Sequence, residues 1–322
     1  MDIYPLRALV NEDFEAVNQL IIDKTTSSIQ LLDELTNHIF QSGGKRLRPL
    51  LVLLASHACD YQGHKHILLA AMIEFFHTAT LLHDDVVDDS HLRRGKKTAH
   101  TIWGSKASIL VGDYLFTQYM QLMIKVGDLK IMQLLTDMSD KMGCGELKQL
   151  SNRHTITITL EEYFEVISAK TSMLFAAAAS IGALVSDAPE AIQQGLYTYG
   201  LHLGNAFQVI DDSLDYCSDK DTLGKNIGDD LADGKTTLPL MHVLTHGTPT
   251  QQALVKKSIE EGSLSHLQEI CEAISETNAI DYTRTVAATE SDLAITALHV
   301  LPDSPYKTAL ADLAKYAIYR TH

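Results

Sequence analysis

Residues 74–90 read EFFHTATLLHDDVVDDS, an apolar stretch with helical spacing that ends in a group of aspartates. Asp84 and Asp88 are four residues apart, so a helix places both carboxylates on one face. Their charges repel unless a cation lies between them, and hard oxygen ligands with room for water and phosphate favour Mg²⁺ over zinc or copper. A solvated acidic helix end without any metal explains this segment about as well.

A second segment, QVIDDSLD at residues 208–215, repeats the spacing at the end of another apolar helix. Gln208 lies three and four residues before Asp211 and Asp212, and all of them share a face with Asp215. Two such faces could meet across the cavity of a helical bundle. There they would hold several Mg²⁺ ions against a diphosphate, which gains charge as its C–O bond breaks. The repetition favours a functional interpretation of both clusters.

The remaining sequence is patterned for helices, with apolar residues at positions i, i+3, i+4 and i+7 and few alternating β-branched runs. Residues 219–235 are polar and predict a loop with at most a short helical turn. No linker, low-complexity tract or long repeat divides the chain. We therefore predict an all-α fold, a single-domain helical bundle around a central cavity that spans residues 1–322. Long helices are predicted at Ile67–Asp88, Ala107–Met123, Leu129–Leu150, Leu160–Val185 and Pro189–Tyr216.

The composition restricts the classes of function. Lys and Arg number 26 against 41 Asp and Glu, a net charge of -15, which argues against nucleic-acid binding and against charge-driven docking on an anionic membrane. No apolar run has the length of a membrane span, and the first residues lack an export signal. The cysteines have neither metal-ligand nor disulfide spacing, which fits a reducing compartment: Cys59, Cys144, Cys217 and Cys271. A cytoplasmic protein without stable membrane insertion is expected.

Basic residues are grouped close to both aspartate clusters. The segment GGKRLRP at residues 43–49 places three cations after a glycine break, and Pro49 fits the first turn of the next helix, whose free N–H groups also favour phosphate. Arg93 and Arg94 follow the first cluster, and an arginine fork matches phosphate oxygens. A lysine by itself is more often a surface charge, so the grouping is the evidence. The other members of the group are Lys170, Thr171, Lys225 and Lys235.

Seven segments in a fixed order resemble the trans-isoprenyl diphosphate synthase family. They are GGKRLRP (43–49), EFFHTATLLHDDVVDDS (74–90), LRRG (92–95), GDYL (112–115), AKTSMLF (169–175), FQVIDDSLDY (207–216) and LGKNIGDDLADGKTTLPL (223–240). Any one of them is weak evidence, but seven in order are specific. The resemblance implies an all-α isoprenoid synthase fold, a homodimer, and Mg²⁺-dependent condensation of isopentenyl diphosphate with an allylic prenyl diphosphate. It is strongest to members that supply the side chains of respiratory quinones.

The resemblance also implies roles for single residues. The aspartates of the two clusters would be catalytic and bind Mg²⁺ with the allylic diphosphate: Asp84, Asp85, Asp88, Asp211, Asp212 and Asp215, of which Asp84, Asp88 and Asp211 are the metal ligands. Isopentenyl diphosphate would be held by Lys45, Arg48, His77 and Arg94. The allylic diphosphate would contact Arg93, Lys170, Thr171, Gln208, Lys225 and Lys235, with Lys170 also catalytic. The implied reaction is ionisation to an allylic cation, attack by the isopentenyl double bond and loss of a proton, with released diphosphate as the expected base.

Product length is predicted from the residues that precede the first cluster. In the family, bulky aromatic residues four and five positions before the first aspartate stop chain growth early. Here Thr80 and Ala79 occupy those positions, roughly 6–7.5 Å below Asp84 along the helix. Their small side chains imply an open tunnel and a product longer than the C15–C20 class, with C40 preferred and C35 to C50 open. Met123 is the first candidate for the tunnel floor, although ordinary core packing is the commoner role of a methionine.

Two other functions agree less well with the sequence. A class I terpene cyclase would replace the second Asp-rich motif with an Asn/Ser/Glu pattern and would not need Lys45 and Arg48. A non-catalytic regulatory subunit that binds prenyl diphosphates would have lost aspartates from one motif, whereas both are intact here. Dependence on isopentenyl diphosphate separates condensation from cyclisation. The end of the chain offers one cation, Arg320, and the sequence assigns it no role.

Overall fold

The structure is a computed structural model that describes residues 3–40, 44–217 and 227–320, and most of these residues lie in helices. Within these ranges one short antiparallel hairpin pairs strand β1 (Leu92–Arg93) with strand β2 (Lys96–Lys97). The all-α prediction is therefore confirmed. The α-helices, in chain order, are α1 (Tyr4–Ala8), α2 (Asn11–Thr25), α3 (Gln30–Phe40), α4 (Leu47–Ala58), α5 (Lys65–Val87), α6 (Ala99–Trp103), α7 (Ser105–Val126), α8 (Leu129–Ser151), α9 (Leu160–Ile167), α10 (Met173–Val185), α11 (Glu190–Cys217), α12 (Asp229–Ala232), α13 (Leu238–His246), α14 (Pro249–Glu261), α15 (Leu267–Glu276), α16 (Ala279–Ala297) and α17 (Pro305–Tyr319).

The centre of the bundle consists of α4, α5, α10 and α11. Helix α10 is buried from Met173 to Ala183 and α4 on nearly every side, as expected of helices that are apolar all round. Small residues allow close approach, since a Cβ added to Gly182 in α10 would lie 2.5 Å from the Cβ of Ala55 in α4. Both α5 and α11 pack against α10. This packing fixes the two helices that carry the aspartate clusters relative to each other.

Four of the five long helices predicted from the sequence are confirmed, with ends within three residues of the predicted ones. The fifth, Leu160–Val185, is interrupted by a π-helical turn at Ser168–Ser172. The Ser172 hydroxyl donates to the side-chain oxygen of Asn205 at 2.6 Å, which ties this turn to α11. Such π turns are frequent at functional sites, and this one carries two of the predicted diphosphate-binding residues.

Two helical segments, Lys65–Val87 and Leu160–Val185, are long and apolar enough to cross a membrane. However, 67% of the apolar window of the first and 83% of that of the second are buried inside the bundle. These segments therefore form the core of the fold, where length and hydropathy are explained by burial against neighbouring helices.

Candidate active site

Both aspartate clusters line a single cavity of about 810 Å³. Asp84 and Asp88 enter it from the C-terminal end of α5, and Asp211, Asp212 and Asp215 enter it from the last turns of α11. The two acidic helix ends thus face a common cleft. Apolar side chains from α5, α7, α8 and α10 line the rest of the cavity, so a charged region and an apolar region adjoin within one space.

The three aspartates of the first cluster have different environments. Burial raises the pKa of Asp84 to about 6, and the nearby carboxylates of Glu146 and Asp88 add to the rise. Asp88, at the end of the helix, accepts a hydrogen bond from Arg153. Asp85 is only 4% exposed and does not line the cavity. Two of the three aspartates therefore face the cleft, and the one between them belongs to the wall behind it.

Asp85 holds one of the arginines that follow the cluster. The Nε and Nη2 atoms of Arg93 donate to Asp85 Oδ1 at 2.8 and 2.6 Å. Arg93 itself lines the cavity from strand β1 of the hairpin. A forked contact to a buried carboxylate fixes the guanidinium in one orientation. The predicted metal-binding role of Asp85 therefore has a competing interpretation, in which Asp85 positions Arg93.

The second cluster is built around a chain of hydrogen bonds. The Tyr163 hydroxyl donates to Asp212 Oδ2 at 2.6 Å, and Gln208 Nε2 donates to Asp212 Oδ1 at 2.9 Å. The Thr171 hydroxyl donates in turn to Gln208 Oε1 at 2.8 Å. Burial and, to a lesser degree, the charge of Asp230 raise the pKa of Asp212 to about 7, although the hydrogen bonds from Tyr163 and Gln208 oppose the rise. This chain of hydrogen bonds fixes Gln208 and Thr171 relative to the buried carboxylate of Asp212.

The other two aspartates of this cluster lie at its edges. Asp211 keeps 43% of its side chain exposed and accepts a hydrogen bond from Arg320. The Arg320 guanidinium also lies 3.5 Å from the ring centroid of Phe207 and donates to the Phe207 carbonyl at 2.7 Å. Asp215 accepts from the backbone N–H of Asp230 at 3.3 Å. The last described residue of the chain is therefore part of the cavity wall.

Three further carboxylates enter the cavity from the segment after α11: Asp229, Asp230 and Asp233. Lys235 lies among them, with its Nζ 2.7 Å from Asp233 and 3.4 Å from Asp230. Burial alone would lower the pKa of Lys235, but Asp230, Asp88 and Asp233 together raise it above its ordinary value. The lysine therefore stays charged between the two acidic clusters. Lys225 lies outside the described residues.

Arginine and histidine form the opposite side of the cavity. Arg48 Nη1 lies 3.1 Å from His77 Nε2, and its guanidinium lies 4.3 Å from the ring centroid of Phe175. Burial lowers the pKa of His77 well below its ordinary value, and the positive charge of Arg48 adds to the effect. The neutral ring therefore accepts from Arg48 through Nε2 and keeps its Nδ1 proton. Burial lowers the pKa of Arg48 to about 10, so it remains a cation at neutral pH.

Two residues beside this group show how the arginines are accommodated. A Cβ added to Gly44 would lie 2.6 Å from the Nη1 atom of Arg94, so the glycine leaves room for that guanidinium. Glu74 is 8% exposed and interacts with the charges of Arg46, Arg48 and Arg94. A buried carboxylate compensates a concentration of positive charge that burial would otherwise oppose. Glu74 is a residue that the sequence analysis did not single out.

Lys170 and Lys45 differ in their position relative to the cavity. Lys170, in the π turn, lines it and donates from Nζ to Glu146 at 3.1 Å and to Gln149 at 2.9 Å. Lys45 is not among the lining residues, and its Nζ lies 5.3 Å from the ring centroid of Tyr316. Lys170 thus reaches the cavity directly, whereas Lys45 lies beside Arg94 and Arg320.

The apolar part of the cavity begins below Asp84. Ala79 and Thr80 both line it, as the chain-length argument requires, together with Phe76 and Phe116. Tyr119 packs behind these two rings, with centroids 5.1 Å from Phe76 and 5.4 Å from Phe116. Met123, the predicted floor, does not line the described cavity and packs against the core one turn beyond Tyr119. In this structure aromatic rings close the end of the cavity.

Three residues that line the cavity were given no role from the sequence: Arg153, Tyr163 and Arg320. Arg153 and Arg320 lie 65 and 109 residues from the aspartates that they contact, and Tyr163 lies 49 residues from Asp212. No local pattern connects such pairs, because helical periodicity relates only neighbours a few residues apart. Glu74, which lies behind the cavity wall, offered a signal, since it is the one acid in the apolar segment 67–83 that leads to Asp84.

The donor set fits divalent magnesium. Carboxylates from α5, α11 and the segment around α12 converge with acceptor oxygens, and the described part of the cavity offers no cysteine. Arginine, lysine and neutral histidine surround them and match phosphate oxygens. Burial is the main cause of the raised pKa of Asp84 and of Asp212, and neighbouring carboxylates add to it. A cation bound among these acids would lower both pKa values again. The arrangement is suited to binding a diphosphate group through metal ions and guanidinium groups.

Comparisons with known proteins agree with this geometry. The sequence model of the polyprenyl synthetase family matches residues 29–276. The chain is 44% identical over 321 residues to the octaprenyl diphosphate synthase of Escherichia coli (strain K12), covering 99% of each chain. It is 42% identical to the all-trans-nonaprenyl-diphosphate synthase (geranyl-diphosphate specific) of Rhodobacter capsulatus, over 97% of this chain and 96% of that one. The crystal structure of a polyprenyl synthase from Caulobacter crescentus CB15, complexed with calcium and isoprenyl diphosphate, superposes with a TM-score of 0.96 at 40% identity, covering 100% of this chain and 98% of that one. The chain therefore belongs to the polyprenyl synthetase family of prenyltransferases.

Proposed function

We propose that this prenyltransferase makes octaprenyl diphosphate by adding isopentenyl units one after another to an allylic diphosphate such as farnesyl diphosphate. The chain is a long-chain trans-polyprenyl diphosphate synthase, as its full-length similarity at 44% to an octaprenyl diphosphate synthase indicates. The single observation that carries the reaction type is that both aspartate clusters line one cavity with Arg48, Arg93 and Lys170. Its apolar continuation past Ala79 and Thr80 supports growth of a long product in the same space.

Magnesium is the metal that the carboxylates fit best. Asp84 and Asp88 on one side and Asp211 on the other would be its first ligands, with Asp212 and Asp215 beside them. When bound, the metal neutralises charge that develops on the departing diphosphate. Arg93 and Lys170 contribute to the same end as fixed positive charges, because Asp85 and the Glu146–Gln149 pair hold them in place. The related protein solved with calcium and isoprenyl diphosphate supports a divalent ion in this position.

Isopentenyl diphosphate would bind on the arginine side. Arg48 and Arg94 offer guanidinium forks there, and neutral His77 keeps an N–H that can donate to a phosphate oxygen. Lys45 lies next to this group. The two diphosphates would then lie on opposite sides of one cleft, and the double bond of isopentenyl would reach the allylic carbon between them. No side chain is assigned as general base, and released diphosphate takes that role.

The apolar part of the cavity has two effects on the chemistry. Phe76 and Ala79 offer no nucleophile to an allylic cation, and the Thr80 hydroxyl is held by the His77 carbonyl at 2.8 Å, so capture of the cation by this wall is disfavoured. The same wall sets how far the product can extend. Phe76 and Phe116 end the cavity, so these rings either form the floor themselves or turn aside to let a chain of eight isoprene units extend toward Met123.

We further propose that the enzyme works as a cytoplasmic homodimer with one catalytic domain per chain and supplies the side chain of respiratory quinones. The outer face of α7 supports an interface, because Leu110, Met120 and Ile124 are 67%, 46% and 74% exposed. These positions are separated by ten and four residues and lie on one side of the helix. Large apolar side chains this exposed on one side of a helix are typical of surfaces that contact another protein.

The function is tested by incubating purified protein with farnesyl diphosphate, labelled isopentenyl diphosphate and Mg²⁺, then sizing the products by chromatography. A dominant C40 product that requires isopentenyl diphosphate is expected. Turnover of farnesyl diphosphate alone to a cyclic hydrocarbon would instead identify a terpene cyclase. Products confined to C15–C20 would contradict the long-chain assignment.

The length mechanism is tested by Thr80→Phe. An aromatic ring one turn below Asp84 fills the start of the apolar cavity, so the main product should shorten to the C15–C20 range while isopentenyl incorporation continues. Met123→Ala is the matched test of the deeper position, and a longer product is expected if it forms the floor. An unchanged distribution in Met123→Ala would leave the rings of Phe76 and Phe116 as the floor.

A further inference from the structure

A second group of metal-ligating side chains lies where α2, α4 and α5 meet. Asp13 belongs to α2, His57 to α4 and His66 to α5, and one ligand atom from each lies within 4.8 Å of the other two. Asp13 Oδ2 is 2.6 Å from His57 Nε2 and 3.0 Å from His66 Nε2. His66 precedes Asp84 by eighteen residues of one helix, which places this group about 27 Å from the first aspartate cluster.

His66 is the member whose environment points to a ligand. It is 3% exposed, and neither of its ring nitrogens has a hydrogen-bond partner among the described residues. Its Nε2 approaches Asp13 closely, but the direction of the N–H does not suit a hydrogen bond to that oxygen. Buried polar atoms normally make well-directed hydrogen bonds, so a buried imidazole that reaches Asp13 at 3.0 Å without one suits a ligand at this position.

Aromatic contacts hold both rings in this arrangement. The His57 ring stacks on Tyr306 with centroids 4.9 Å apart, and it meets the His66 ring edge-on at 5.4 Å. Tyr61 packs against the other side of His66, also at 5.4 Å. Ligand rings that neighbours have already oriented lose little freedom when an ion binds.

We propose that Asp13, His57 and His66 form a binding site for a divalent transition-metal ion of the zinc class, with water as the fourth ligand. Two imidazoles and one carboxylate are a donor set that zinc accepts, whereas magnesium prefers oxygen alone. Tetrahedral bonds of 2.0–2.1 Å place ligand atoms about 3.3 Å apart, wider than the 2.6 and 3.0 Å between Asp13 Oδ2 and the two imidazoles, so the ligands would spread slightly when an ion binds. His57 and Asp13 keep 26% and 23% of their side chains exposed, so an ion and a water molecule have access.

The ion would link three helices rather than take part in prenyl transfer. It would tie α2 to the junction of α4 and α5, at the opposite end of the two helices that carry Arg48 and Asp84. Binding to the folded state alone raises stability with ion concentration. The site is therefore expected to change the melting temperature and to leave turnover with saturating Mg²⁺ unaltered.

Metal binding is tested on tag-free protein that has been stripped with chelator and then saturated with Mg²⁺, so that the aspartate cavity is filled. Titration with Co²⁺, followed by visible absorption, should reveal one tight equivalent in the wild type. His57→Ala, which removes a partly exposed ring, and Asp13→Asn should each weaken that equivalent at least tenfold. His299→Ala, which removes an exposed histidine elsewhere, is the matched control and should bind as the wild type does. Equal binding by all four proteins, or none by the wild type, overturns the proposal.

Thermal unfolding with Zn²⁺ gives an independent readout. At a free Zn²⁺ concentration one hundred times Kd, the melting temperature of the wild type and of His299→Ala should rise by about 4 °C. His57→Ala and Asp13→Asn should show no rise, and their prenyl transfer rates should match the wild type. A zinc-dependent rise that survives both substitutions would place the ion elsewhere and contradict the assignment.

Discussion

The two aspartate clusters have the same spacing in the sequence but are built differently. In the first, the middle residue Asp85 is buried and holds Arg93, while Asp84 faces the cavity from a helix that ends at this point. In the second, the middle residue Asp212 faces the cavity and is itself held by Tyr163 and Gln208, in a helix that continues to Cys217. The middle aspartate of the first cluster thus orients Arg93, whereas the middle aspartate of the second accepts hydrogen bonds from neutral side chains.

This difference shows that the role of a carboxylate depends on what packs behind it. A buried aspartate paired with arginine is already neutralised and has little to offer a metal ion. An aspartate held by neutral donors keeps its position and has no cation of its own, so it remains available to a metal ion. The spacing of the motif determines which carboxylates share a face, and the neighbouring elements determine which of them are free to bind metal.

The largest effect is expected from removing a cavity-facing carboxylate on either side. Asp84→Ala and Asp211→Ala should each lower kcat by about 10²- to 10³-fold, because each removes a ligand that stabilises charge in the transition state. Circular dichroism should show an intact fold. Asp89→Ala, which removes a carboxylate that is 83% exposed just outside the cluster, should leave the rate near that of the wild type. Near-normal rates for Asp84→Ala or Asp211→Ala with saturating Mg²⁺ would contradict the metal assignment.

A second substitution separates the two middle aspartates. Asp85→Asn weakens the forked contact to Arg93, so KM for the allylic diphosphate should rise about tenfold, as for loss of one charge-assisted hydrogen bond. The Mg²⁺ concentration for half-maximal rate should stay unchanged. Arg93→Lys should produce the same pattern, since lysine cannot reproduce the fork. An increased Mg²⁺ requirement in Asp85→Asn would instead show that this residue is a metal ligand.

The hydrogen bonds of the second cluster give a smaller effect. Tyr163→Phe removes the donor 2.6 Å from Asp212, and kcat should fall about fivefold. That hydrogen bond lowers the pKa of Asp212, so its loss should move the acidic limb of the pH–rate profile to higher pH. Tyr114→Phe, whose hydroxyl donates to a backbone carbonyl outside the cavity, serves as the control. An unchanged pH–rate profile in Tyr163→Phe would show that this tyrosine does not influence the group that titrates on the acidic limb.

The smallest expected effect concerns stability. Burial raises the pKa of Asp84 from 3.8 to about 6, so between these values the folded protein holds a proton that the unfolded chain has released. Stability without metal should therefore fall as pH rises through this range. Mg²⁺ competes with the proton, so the rise in melting temperature on adding Mg²⁺ should be a few degrees larger near neutral pH than at about pH 5. If the rise in melting temperature caused by Mg²⁺ did not depend on pH, Asp84 would not be a ligand of the metal.

Much of the fold and part of the site follow from the sequence. Apolar spacing located four of five long helices to within three residues, because each amphipathic helix has to bury one face whatever lies against it. It missed the π turn at Ser168–Ser172, because α10 beyond the turn is apolar and buried on all sides, so the shift in helical phase leaves no visible break in the pattern. The motifs then named most of the side chains that line the cavity.

The sequence by itself determined which residues share a helix face, because a period of 3.6 residues acts over a few neighbours. Only the tertiary structure decided which of those faces meet. Asp88 with Arg153 and Asp211 with Arg320 are pairs separated by 65 and 109 residues, and the packing of α5 and α11 against α10 brings the two aspartate clusters to one cavity. The junction of Asp13, His57 and His66 has the same origin. Contacts over such separations depend on how whole helices pack, and no local spacing encodes them.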